Sequence, residues 1–284
     1  MTREFGKRVR ARRSLSQNFL VDPNLCRKLV ATLAADSGDT VLEVGPGHGE
    51  LSEHLAGRIR RLVLVEKDDR LAPLLRERWG ERRDVEIVHA DALDCDLGAL
   101  VRGAPVLRVM SNLPYSITTP LLFRLLDLRP RPRRLVLLVQ REVAARVTSP
   151  AGSKRYGALS VGVQVRATAR SPFGVPRSAF RPAPRVDSAA LVLDPRPDEP
   201  PEPDLAALRT LVRVAFSRRR KQLQRILRDA PEFGLDAETA EAVLARAGID
   251  PAGRPESVAP GGFLVLSRLL QSEPPGRRGG KGAS

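Results

Sequence analysis

From Thr40 onward the chain alternates short apolar runs with amphipathic stretches, and no other feature restricts its fold as strongly. Residues 41–44 read as a strand, followed by the turn Gly45-Pro46-Gly47-His48-Gly49 and a helix from about Glu50. Residues 62–65 form a second strand closed by Glu66, with a helix over 69–79. A third strand, 85–88, leads into Ala90-Asp91-Ala92, and a fourth, 106–110, into Ser111-Asn112-Leu113-Pro114-Tyr115. A helix over 119–128, a strand over 135–139 and a short helix over 142–147 continue the series. Strands alternating with helices in this way predict a mostly parallel sheet covered on both faces, the α/β class. Residues 160–166 and 189–193 follow with no convincing helix between them and are expected as strands that pair antiparallel at one end of the sheet.

The remainder divides by composition. Residues 1–16 carry six basic side chains against the single acid Glu4 and read as a basic arm. Residues 17–194 make the α/β domain. Five prolines in DPRPDEPPEPD mark 195–204 as a stiff linker. Beyond it Leu208, Leu211, Val212, Ala215, Leu223, Ile226 and Leu227 keep helical spacing, so 205–271 is expected as a small helical domain. The Gly/Arg-rich end, 272–284, is expected to be disordered.

Charge narrows the partner. The 48 Lys and Arg outnumber the 33 Asp and Glu, a net charge of +15, and only six of the bases are Lys. An excess of guanidinium groups favours bidentate contact with phosphate and hence a polyanionic partner. Arg218, Arg219, Arg220 and Lys221, with Arg225 and Arg228, concentrate the excess on one expected helix, a nucleic-acid contact in competition with a solvated face. Arg129, Arg131, Arg133 and Arg134 form a weaker patch, and Lys154, Arg155 and Tyr156 a basic loop. Two cysteines and three histidines offer neither a disulfide framework nor a metal cluster. No apolar run approaches the ~20 residues of a membrane span, so a soluble, cytoplasmic protein without a membrane partner is expected.

The strand ends carry the chemistry. Gly45-Pro46-Gly47 allows close approach of a ligand to the backbone, but the third glycine falls too early for the dinucleotide fingerprint. Glu66, 21 residues after Gly45, is placed to accept ribose hydroxyls, and Asp91 to accept from an adenine amino group. Each acid alone also fits a helix cap or an exposed loop charge. Together, on three consecutive strand ends, they match the arrangement expected for S-adenosylmethionine. Asn112-Leu113-Pro114-Tyr115 is poor core material and good material for gripping a flat base with an exocyclic amino group. His48 has no partner visible in sequence and is given no catalytic role.

Nine segments in order, SQNFLVD (16–22), LEVGPGHGELS (42–52), VEKD (65–68), DAL (91–93), SNLPYSITTPL (111–121), QREVAARV (140–147), GSKRYGALSV (152–161), FRPAPRVDSA (180–189) and AFSRRRKQLQ (215–224), resemble the small-subunit ribosomal RNA adenine dimethylases. The resemblance implies a class I, Rossmann-like methyltransferase domain with a small C-terminal helical domain. It implies N6,N6-dimethylation of two adjacent adenosines near the 3′ end of the small-subunit RNA, on an assembling particle, by a monomer that converts S-adenosylmethionine to S-adenosylhomocysteine. Carried over by position, Asn18 and Leu20 touch the donor, with Gln17, Lys67 and Ala92 beside it. Gly45 and Gly47 line its amino-acid end, Glu66 holds the ribose and Asp91 the adenine N6. Asn112, Leu113, Pro114 and Tyr115 form the target-base pocket, Asn112 also reaching the donor, and Phe180 covers the base from the other side. The sister class that methylates large-subunit RNA, and a non-catalytic assembly factor on the same scaffold, are the competing readings.

Overall fold

The computed structural model describes residues 9–12, 15 and 17–272. The other residues of the expected arm and nearly all of the expected tail lie outside that range. Contacts divide the chain into two units, residues up to Ala144 with Ala169–Pro195, and Ala145–Thr168 with residues from Arg196 onward.

The first unit is built on a sheet of β2 (Thr40–Val44), β3 (Arg61–Glu66), β4 (Val85–His89), β5 (Leu107–Asn112), β6 (Pro132–Gln140), β7 (Ala167–Arg170), β8 (Gly174–Val175) and β10 (Ser188–Pro195). Its order is β4-β3-β2-β5-β6-β10-β7, with β8 on β10. The first four pairings are parallel, and β10 runs antiparallel to β6 and β8. The apolar runs become strands because both faces are covered: β2 is buried throughout, and β3 is buried from Leu62 to Glu66. A separate pair, β1 (Phe19–Leu20) with β9 (Phe180–Arg181), places Leu20 opposite Phe180.

Chain order reverses between β2 and β5, so their carboxyl ends flank the switch point at which open α/β sheets leave a crevice. Register makes that edge level: Val44 is opposite both Val65 and Ser111, and Glu66 is opposite His89. At the other end of the sheet, Arg108 Nε donates to Asp39 Oδ2 at 2.5 Å and its Nη1 to the Leu33 carbonyl at 2.8 Å. This buried clamp ties β5 to the segment that precedes β2 and to the end of α1 (Pro23–Leu33).

The second unit contains α6 (Ala158–Gln164), α7 (Glu202–Ser217), α8 (Leu223–Asp229), α9 (Ala237–Arg246) and α10 (Pro260–Ser272). Tyr156, Phe216 and Phe263 line up in its core, ring centroids 5.9 and 5.7 Å apart, and Tyr156 Oη donates to the Val258 carbonyl at 2.8 Å. The expected strand at 160–166 is therefore a helix whose buried side is Ser160, Val161 and Val163, and 145–168 leaves the expected α/β domain for this unit. The linker is also shorter than its prolines suggest. β10 runs to Pro195, α7 starts at Glu202, and a buried pair, Arg166 Nε to Glu199 Oε1 at 2.6 Å, holds the residues between.

Three further differences bear on the site. Residues 50–56 form turns and a short 3-10 helix (Ser52–His54), not an α-helix, so the glycine turn has no helix terminus behind it. Arg218–Gln222 is a turn between α7 and α8, so the helical stripe is broken where the basic cluster lies. The described part of the basic arm lies on the protein: Arg12 Nη1 is 2.7 Å from Asp69 Oδ1, and the Arg10 carbonyl accepts from Arg70 Nη1 at 3.1 Å.

Candidate functional site

One cavity opens at the carboxyl edge of β2, β3, β4 and β5. Gln17, Asn18, Gly45, Gly47, Glu66, Lys67, Asp91, Ala92, Asn112, Leu113, Pro114 and Tyr115 all line it. Leu20 and Phe180 do not. A two-residue strand turns alternate side chains to opposite faces, so Phe19 and Arg181 face outward while Leu20 and Phe180, 3% and 1% exposed, enter the core. The Phe180 side chain, expected over the base, lies among the buried core residues and does not line the cavity. Leu20 has only its main chain to offer.

The glycine turn shows why these positions are glycine. Gly45 and Gly47 have φ of +67° and +63°, where a side chain is strained. A Cβ at Gly47 would sit 2.9 Å from the Phe19 ring, whereas the space in front of Gly45 is open. Phe19 itself stands edge-on to His48 at 4.6 Å, and His48 Nε2 lies 3.2 Å from the Val9 carbonyl. His48 thus packs the rim of the turn. Phe19 lines the cavity and was missed from the sequence, where an aromatic within SQNFL reads as core.

Glu66, 5% exposed, accepts from Gly47 N at 3.1 Å and from Asp68 N at 2.8 Å. Burial pushes its pKa up, and the two N–H donors oppose that rise. The same carboxylate that shapes the glycine turn keeps lone pairs for a ligand. Next to it Asp68, fully buried, collects Gln17 Nε2 at 2.8 Å and Arg70 Nη2 at 2.6 Å. The Arg70 hydrogen bonds hold this carboxyl well below the usual carboxylate range. Asp68 thereby fixes Gln17 at the cavity wall. Asp91 pairs with Lys67 and also accepts from Leu93 N at 2.8 Å; the Lys67 contact lowers its pKa, so it is an acceptor at neutral pH.

Asn112 ends β5, and its Nδ2 donates to the Asn18 carbonyl at 2.8 Å, which leaves Oδ1 as acceptor. Leu113 N is tied to the Leu138 carbonyl at 3.0 Å, and Ser111 Oγ to the Val44 carbonyl at 2.5 Å. The loop is therefore registered against β2 and β6 before any ligand arrives.

Behind the turn, Glu43 is buried on β2 and accepts from Ser52 Oγ at 2.6 Å; burial raises its pKa from 4.5 to about 8. A raised acid pKa means that the folded chain keeps a proton the unfolded chain releases. Stability from this group is fully present below about pH 4.5 and is lost as pH climbs through about 8. Glu43→Gln, which cannot ionise, is expected to retain more of its melting temperature than the wild type between pH 5 and 8.5. The gap is expected to open above pH 4.5 and to widen as pH rises towards 8. Parallel curves of melting temperature against pH would exclude Glu43 as the titrating group.

The basic cluster is a separate feature of the second unit. Arg220, Lys221 and Arg225 line one notch together with Arg254, which the sequence reading missed because it lies 29 residues beyond Arg225. Arg219 turns to Glu256 (3.3 Å), and Lys221 to Asp229 (3.4 Å); Arg218 does not line the notch. The weaker patch is partly spent internally, with Arg134 bound to Asp194 at 2.6 Å and Arg129 to the Leu128 carbonyl at 2.9 Å. Among the described residues no group of His, Cys, Asp or Glu could hold a metal ion, and no helix is long and apolar enough to cross a membrane.

Comparison with known proteins agrees with this geometry. Residues 8–253 match the family described as ribosomal RNA adenine dimethylase. "Ribosomal RNA small subunit methyltransferase A" of Geobacter metallireducens is 42% identical over 272 residues, covering 94% of this chain and 98% of the relative. The protein of the same name from Moorella thermoacetica is 41% identical, covering 92% of each. Among solved structures, a dimethyladenosine transferase from Plasmodium falciparum superposes with a TM-score of 0.78 at 25% identity, over 87% of this chain and 95% of that one. The 23S rRNA methyltransferase ErmE gives 0.68 at 27% identity, over 89% of this chain and all of that one. With a family match over most of its length and relatives about 40% identical from end to end, this chain belongs to the ribosomal RNA adenine dimethylases.

Proposed function

We propose that the protein transfers methyl groups from S-adenosylmethionine to the N6 amino groups of two adjacent adenosines near the 3′ end of small-subunit ribosomal RNA, acting as a cytoplasmic monomer on an assembling small subunit. The observation that carries this is a single cavity in which three strand-end donor ligands meet the Asn112-Leu113-Pro114-Tyr115 loop. The small-subunit target is favoured by relatives of that name at about 40% identity, against 27% for ErmE.

The cavity fits the donor. Open space before Gly45 suits a main-chain contact with its amino-acid end, Glu66 has free lone pairs for ribose hydroxyls, and Asp91 is an ionised acceptor for an adenine amino group. When bound, S-adenosylmethionine supplies an electrophilic methyl and leaves as S-adenosylhomocysteine. The protein's task is the nucleophile. The lone pair of an adenine amino nitrogen is delocalised into the ring and must be turned out of conjugation. Asn112 Oδ1 and the Leu113 carbonyl accept the two N–H bonds, and Tyr115 stacks on the base, a contact worth about 1–3 kcal/mol. The target adenosine has to leave its own stack to enter. Orientation and electrostatic positioning then do the rest without a strong base: the N–CH3 bond forms as the S–CH3 bond breaks, and the methylated nitrogen, now cationic and strongly acidic, releases its proton to solvent.

The notch of Arg220, Lys221, Arg225 and Arg254 is assigned to RNA phosphate. Reversing the charge of Arg220, Lys221 and Arg225 together is expected to weaken small-subunit binding and to flatten its salt dependence by about two to three units of slope, ~0.7–0.9 per phosphate contact. An unchanged slope would remove the notch from the interface. The reading as a whole is tested by supplying labelled donor with purified small and large subunits that lack the modification and analysing the nucleosides. Dimethyladenosine on the small subunit is the expected product; label on large-subunit RNA alone would overturn the target assignment, and label on neither the activity.

A further inference from the structure

Phe180 lies in the core, so Tyr115 is left as the aromatic of the expected base pocket that reaches the cavity. The orientation of that one ring therefore matters more than two opposed rings would require. We infer that Ser188 is a positioning residue for the reaction, its hydroxyl locking the Tyr115 ring in the plane in which it receives the target adenine. The inference rests on the reading above that Tyr115 stacks on that base.

Tyr115 opens a short 3-10 turn, Tyr115–Ile117, and is half-buried, with Oη 2.8 Å from Ser188 Oγ. Thr118 Oγ1 donates to the Pro114 carbonyl at 3.1 Å and so fixes the main chain of the turn. What remains free is rotation of the side chain, and a hydrogen bond at the far end of the ring removes it. The anchor is rigid. Ser188 is fully buried at the start of β10, opposite Gln140 of β6 and Val175 of β8. The preceding Asp187 is held as well: its carbonyl accepts from Arg141 N at 3.0 Å and its carboxylate from Arg177 N at 3.1 Å.

The serine is otherwise out of place. The five positions that follow it on β10 are Ala, Ala, Leu, Val and Leu, all buried. A hydroxyl taken out of water costs free energy unless it is hydrogen-bonded, and this one is bonded to Tyr115. The ring is not a proton acceptor in disguise, because burial raises the pKa of the phenol and keeps it neutral. Its hydroxyl serves orientation.

The test is a double-mutant cycle on the intact chain, read as single-turnover methyl transfer to small subunits lacking the modification. Tyr115→Phe and Ser188→Ala each delete one end of the bond and leave the ring in place. Each is expected to slow transfer roughly tenfold, the value of one such bond, with donor affinity unchanged and the melting temperature lowered by no more than the ~2–4 °C that one unpaired buried hydroxyl costs. The double variant is expected to be no slower than either single. Additive losses, or wild-type transfer by either single variant, would overturn the inference. Should Ser188→Ala fail to fold, Tyr115→Phe decides alone, since a wild-type rate without the phenol excludes the lock. An inactive wild type would instead bring down the proposed function and this inference with it, and the two failures are thus told apart.

Discussion

Asn112→Ala is expected to reduce methyl transfer by about 10²–10³-fold, the loss seen when one positioned polar group is removed from a developing charge. Donor affinity should fall much less, within about tenfold, because the side chain contributes a single hydrogen bond to the donor wall, Nδ2 to the Asn18 carbonyl. Asn112→Asp separates the two roles further. It keeps an acceptor for the amino group, loses the bond to Asn18 and adds a negative charge at the wall. Isothermal titration with S-adenosylhomocysteine and single-turnover transfer, run on the same preparations, would measure both quantities. Equal losses in the two would mean that Asn112 holds the donor and not the base.

The second large effect is expected at Glu66. Two of its lone pairs are already committed to Gly47 N and Asp68 N, and the remainder are assigned to the ribose. Glu66→Ala therefore removes the ribose acceptors and leaves two N–H groups without their partner. Hydrogen bonds to a charged group are worth about 1.5–3 kcal/mol each, so donor affinity should drop by at least ~100-fold. Small-subunit binding, assigned above mainly to the basic notch of the second unit, should persist. Glu66→Gln retains one oxygen and presents a donor where an acceptor is needed, so it should fall between the two. If Glu66→Gln binds the donor as tightly as the wild type, the carboxylate is not the ribose ligand.

The strand ends were legible because buried parallel strands read as unbroken apolar runs, and a polar residue at the end of such a run has few alternatives to a site. Val41 to Val44, Leu62 to Val65 and the approach to Asn112 all follow that rule. Where the apolar run was short and without flanking punctuation, period alone did not separate strand from helix. Residues 158–164 are the example, and their helix is decided by the packing of Tyr156 and Val161 with α7 of the second unit. Helical spacing also persisted across the break at Arg218–Gln222, because Leu223 and Ile226 return to the same core as Leu211 and Val212. The two-residue pair of β1 and β9 was unreadable for a different reason. It depends on residues 160 and 162 positions apart, and only the pairing reveals that Phe19 faces the cavity while Phe180 does not. Arg254 and Ser188 were hidden likewise, since each matters through a neighbour distant in the chain.

The level edge of the sheet has a consequence for how this protein can be monitored. Gly45, Glu66, Asp91 and Asn112 are side by side only while β2, β3, β4 and β5 hold their present offsets. A slip of one residue in β3 would carry Glu66 to the opposite face. Affinity for the donor is thus a gauge of sheet alignment, with no need for a structural probe. The linkage also runs in reverse. A ligand that recognises only the aligned state adds about 2.7 kcal/mol of stability at a hundredfold excess over its dissociation constant. Supplying S-adenosylhomocysteine during refolding or purification should therefore act as a chaperone for the first unit, and a stabilisation that vanishes in Glu66→Ala would trace the effect to that edge.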